Sequence, residues 1–154
     1  MSGMLEILKR ESEALSRFVL VLADEQAMLR SAQAAELPAI TQEKITLVEQ
    51  LNQLGAERRA LLPKTQASND AAAMTEWLKS NSSNTEAAQT WQAILELARE
   101  ARQMHERNGK LVSILLQKTN DALAILTQRA PEQTLYGSDG QTAAATGSRL
   151  VDSA

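Results

Sequence analysis

His105 is the only histidine in the sequence, and no other residue with catalytic or metal-binding chemistry stands near it in a useful pattern. A two-metal site in a helical bundle draws on repeated Glu-x-x-His pairs, but the residue three before His105 is Arg102 and no second imidazole exists. Nothing places an acid and a nucleophile around His105 in the manner of a hydrolytic triad. There is no cysteine, hence neither a thiol nucleophile nor a disulfide framework. No glycine-rich phosphate loop occurs, and the carboxylates fall mostly on charged helix faces. The residues therefore predict no catalytic group, no metal and no cofactor, that is, a non-enzyme. With 16 basic against 19 acidic residues and a net charge of −3, nothing favours binding to a phosphate backbone, so no nucleic-acid partner is expected. No apolar run approaches a membrane span, and the opening MSGMLEILKRESEAL lacks the apolar core of a signal peptide. A cytoplasmic location without membrane insertion is the expectation.

What the sequence does carry is apolar spacing, and the longest example organises the rest. From Thr85 to Arg129 there is no proline and a single glycine, Gly109. Ile94, Leu97, Ala101, Met104, Leu111, Leu115, Ala122 and Ile125 recur in mostly three- and four-residue steps, one face of a helix. At 1.5 Å per residue that helix is roughly 65 Å long, longer than a compact domain of this size is wide, so it needs other helices or a partner along its length. A second row, Val112, Leu116, Thr119, Leu123 and Leu126, lies about 100° round from Leu111 and Leu115. The two rows read either as core facing two helices of the same chain or as a docking surface, and periodicity alone favours core. Asn108 sits on the first stripe, where a polar residue can set register. Gly109 beside it suggests a close backbone approach or a kink, with the helix continuing because the stripe resumes at Leu111.

Upstream, Leu8, Leu15, Leu22 and Leu29 make a heptad, and Leu5, Ser12, Val19 and Gln26 fill the companion positions. The charged residues Lys9, Arg10, Glu11, Glu13 and Arg17 take most of the remaining positions, which predicts a helix over 4–31 with those charges in solvent. Pro38 suits the first turn of a second helix over 37–62. Its stripe runs Leu37, Ile40, Lys44, Leu47, Leu51, Leu54, Arg58, Leu61, with Lys44 and Arg58 at seam edges and their stems buried. The short link makes the first two helices an antiparallel hairpin. Asn69 or Asp70 caps a short helix over 70–79, and Asn84 or Thr85 starts the long one over 85–129. Trp91 reads as a packing anchor. The fold class is all-α: an elongated antiparallel bundle or coiled coil over 1–130 with one long C-terminal helix, followed by a disordered tail over 131–154. In that tail Leu135 and Tyr136 read either as an incidental turn or as a short linear motif. The leucine heptad also supports a different assignment, a self-associating coiled-coil scaffold.

Three features resemble one family, FlgN, the flagellar type III export chaperones. The layout of helices is similar. The stretch RQMHERNGKLVSILLQKTNDAL is similar to the family's Asn-Gly-x-Leu segment, here Asn108, Gly109 and Leu111, followed by Asn120, Ala122 and Leu123. His105 stands where the family is expected to hold asparagine. TLYGSDGQT, Thr134 to Thr142, is close to the family's Leu-Tyr-Gly-x-x-Gly-Gln tail motif. The resemblance implies a chaperone that binds the C-terminal helical segments of the hook–filament junction proteins FlgK and FlgL. It implies a client face on the second half of the long helix: Asn108, Leu111, Val112, Leu115, Leu116, Thr119, Leu123 and Leu126. It also implies that Leu135, Tyr136 and Gly137 dock on the export gate protein FlhA. On that resemblance the docking reading of the second row replaces the core reading.

Overall fold

The computed structural model describes residues 3–31, 33–64 and 69–129. Among them there are four α-helices and one 3-10 turn, and no strand: α1 Gly3–Ser31, the 3-10 turn Ala34–Glu36, α2 Leu37–Leu61, α3 Asp70–Ser80 and α4 Thr85–Arg129. The all-α expectation and the single long C-terminal helix hold. The expected tail over 131–154, with Leu135, Tyr136 and Gly137, lies outside the described residues. The chain divides into two units, Met1–Leu111 and Val112–Ala154.

Local chemistry sets the helix ends. Pro38 stands in the first turn of α2, where its missing N–H has no intrahelical partner to lose. Leu62 ends α2 in an extended conformation, φ −77° and ψ 139°, because the ring of Pro63 excludes the helical region from the residue before it. Asn69 caps α3, its Oδ1 accepting from the Ala72 N–H at 2.9 Å. Asn84 does the same for α4, accepting from the Ala87 N–H at 3.0 Å. Each cap satisfies an amide that the first helical turn leaves without a partner.

Ion pairs show how the helices of the first unit run. Glu11 meets Arg58, Arg10 meets Glu57, and Glu25 meets Lys44. Numbers rise along α1 as they fall along α2, so the two are antiparallel. Lys9 meets Glu86, and Asn108 meets Leu22 and Glu25, so α4 runs parallel to α1. The main core joins Met4, Leu8, Leu15 and Leu22 of α1 to Met74 of α3 and to Ala87, Trp91, Ile94, Ala101 and Met104 of α4. A smaller cluster, Val21, Ile40 and Leu47 with Phe18 and Met28, fills the α1–α2 seam.

The charges on that seam depart from expectation. Glu11 is buried, not solvated, and its carboxylate accepts from Arg58 Nε at 2.6 Å with both side chains only 8% exposed. Arg58 stacks over Trp91, its guanidinium carbon 4.9 Å from the ring centroid. Arg58 is therefore enclosed rather than at a seam edge. Lys44 lies nearer the expected edge position, half-buried, with Nζ 3.0 Å from Glu25. The close approach expected at Gly109 is absent among the described residues. The helix passes through it unbroken, and nothing lies within 4 Å of the space a Cβ would take.

Candidate interaction face

The stripe that carries α4 through the core ends at Asn108. Ala87, Trp91, Ile94, Ala101 and Met104 are buried at its three-, four- and seven-residue steps, and Asn108 is the last buried residue on it at 2% exposed. Its Nδ2 donates to the Leu22 carbonyl at 3.0 Å and to Glu25 Oε1 at 2.8 Å. Glu25 in turn accepts from Lys44. One node thus ties α1, α2 and α4 together. Asn108, one of the eight residues expected on a client face, has its side chain committed to the interior of its own unit. The sequence placed it on the packing stripe, and packing is what it does.

Val112 onward forms the second unit, and here the apolar pattern persists without burial. Val112, Ile114, Leu116, Leu123, Ile125 and Leu126 are 42–63% exposed. Thr119 is exposed as well, its hydroxyl turned back to the Leu115 carbonyl, while Leu111 and Leu115 are half-buried. Six large aliphatic side chains in fifteen residues are thus left exposed on this helix, and exposed apolar side chains grouped in this way mark interaction sites. The sequence reading missed Ile114. It belongs to neither row taken separately, but its four-residue step to Lys118 and eleven-residue step to Ile125 put it on the flank of the first. The only charges on this helix between Val112 and Thr127 are Lys118 and Asp121, and Asp121 accepts from Gln117 at 2.9 Å.

Elsewhere the described residues offer little chemistry. His105 is exposed. No group of three or more His, Cys, Asp or Glu among the described residues could hold a metal ion. No described helix is long and apolar enough to cross a membrane. A cavity of about 260 Å³ beside α3 is lined by Pro63, Trp77 and Asn81 among others and holds no cluster of ionisable groups.

The model of a family described as FlgN protein matches residues 1–144. The chain is 31% identical over 144 residues, 92% of its length and 91% of theirs, to proteins named Flagella synthesis protein FlgN from Salmonella typhimurium, Salmonella typhi and Escherichia coli K12. No solved structure matches it.

Proposed function

This chain belongs to the FlgN family, and from that premise we propose that it is a cytoplasmic export chaperone, not an enzyme, for the hook–filament junction proteins FlgK and FlgL. The observation that carries the reading is the exposed apolar face from Val112 to Leu126. A client's C-terminal helical segment lies along it, contacting Leu111, Val112, Leu115, Leu116, Thr119, Leu123 and Leu126, and is thereby kept from assembling early. Fully burying an aliphatic side chain contributes about 1.5–3 kcal/mol. Six that are already about half covered offer on the order of 5 kcal/mol gross before ordering costs. That suits a partner which must be released, and no nucleotide is needed for capture. Leu135, Tyr136 and Gly137 are proposed to dock the loaded chaperone on FlhA. Two weak contacts on one chain would then gain from effective concentration at the gate.

Light scattering of the chain mixed with the C-terminal segment of FlgK tests the proposal. The expected result is a one-to-one complex that Leu116→Asp with Leu123→Asp abolishes while the helical spectrum is kept. Undiminished binding by that variant would remove the face from the mechanism. Tyr136→Ala is expected to leave the client complex intact and to weaken binding to FlhA. The rival scaffold reading drew on the leucine heptad. Leu8, Leu15, Leu22 and Leu29 are all buried within this chain, so that seam is not open to a second copy.

A further inference from the structure

We infer that the exposed part of α4 is the middle member of a three-helix packing, and that the client supplies two amphipathic helical segments, one to each edge. This rests on the chaperone reading above. At about 100° per residue, Ile114 and Ile125 lie on one edge of the apolar face and Leu116 and Leu123 on the other, with Leu115 and Leu126 between. The edges are about 200° apart. A helix packed against another covers a stripe about 100° wide, at an interaxial distance of about 8–10 Å. Side chains on opposite edges point away from each other, so one partner helix that buries Leu116 and Leu123 leaves Ile114 and Ile125 in water. All four are at least half exposed, so both edges are open.

Charge narrows the second occupant. Lys118 lies on the row between Ile114 and Ile125, and its neighbour Asp121 already holds Gln117. The helix that covers this edge places an acidic side chain opposite Lys118. A second copy seated there alone would meet only Ile114 and Ile125 as large apolar groups. That is far below the roughly 1,200 Å² of total area that a stable contact buries. A client held on the edge of Leu116 and Leu123 presents its next segment at about millimolar effective concentration, where a small contact suffices.

The chain has no cysteine, so single thiols can report each edge. Ile114→Cys and Leu116→Cys, both at exposed positions, are alkylated with and without saturating FlgK C-terminal segment. The inference expects both thiols to be slowed by about tenfold or more in a one-to-one complex. It also expects Ile125→Asp to weaken that complex by about tenfold. Protection of Leu116→Cys alone, with Ile125→Asp binding normally, means one client helix and overturns the inference while the chaperone reading stands. Protection of Ile114→Cys without client, or a two-to-two mass, assigns that edge to this chain and overturns it equally. If the unsubstituted chain forms no complex, the chaperone reading itself fails and the inference with it.

Discussion

Replacing Glu11 by alanine isolates the most enclosed ion pair among the described residues. Arg58 is left with its side chain 8% exposed, the Trp91 ring on one face at 4.9 Å, and Nη1 already without an oxygen partner among the described residues. Its one strong acceptor, at 2.6 Å, is gone. Breaking a buried pair from one side costs about 3–5 kcal/mol, because the remaining charge is uncompensated. For a chain of this size each kcal/mol lowers the melting temperature by about 3–4 °C, so Glu11→Ala is expected to melt about 10–20 °C below the parent. Removing both charges behaves differently. In Glu11→Met with Arg58→Met, the cation–π contact of about 0.5–2 kcal/mol is lost, a thioether–ring contact of about 0.3–1.5 kcal/mol replaces it, and no buried charge remains. The double variant is expected within about 1 kcal/mol of the parent. Urea unfolding followed by circular dichroism measures both. A single variant within about 1 kcal/mol of the parent would mean that Arg58 reaches water. A double variant as unstable as the single would mean that the pair stabilises the fold outright. Either result refutes the reasoning.

Two further changes probe α4 on either side of its last buried residue. Asn108→Ala removes two hydrogen bonds from a buried node and is expected to destabilise the fold by about 2 kcal/mol in urea unfolding, with client affinity unchanged. Gly109→Ala meets open space in a helix interior and is expected to stabilise by up to about 1 kcal/mol. A lower melting temperature would show that the position is packed in solution.

The helices were legible because their signals are local. Pro38 and Pro63 fix α2, and asparagine caps with an uninterrupted stripe fix α3 and α4, to within a residue of expectation. The main core followed from the leucine heptad. Glu11 was misplaced because its charge was read before its position. The steps Leu8–Glu11–Leu15 and Leu22–Glu25–Leu29 put both acids on the seam, as the α2 stripe puts Arg58 and Lys44. Matching them needed the pairing of the two helices, which is tertiary information. Burial of α4 was ambiguous for the same reason. Its periodicity continues unchanged through Asn108 and Gly109, and a stripe has the same spacing whether it meets another helix of the chain or solvent. Asn108 was placed on the packing stripe by its spacing and on a client face by resemblance, and in the structure it is buried on that stripe.

The two least exposed acid–base rungs between α1 and α2, Glu11–Arg58 and Glu25–Lys44, act as an error-checking code. A leucine seam that repeats every seven residues cannot distinguish the native alignment from one slipped by a heptad. A seven-residue slip sets Glu11 against Leu51 and Glu25 against Leu37, leaving both acids opposed by hydrocarbon, a stranding of charge that outweighs the leucine contacts retained. Yet the rungs are themselves spaced alike, fourteen residues apart on each helix. A slip of fourteen is therefore an alias the code reads as half correct: in one direction it carries Glu25 to Arg58, in the other Glu11 to Lys44. Only the loss of helical overlap marks either as wrong, so a hairpin trapped during folding would be expected to sit at one of these two alignments before any other.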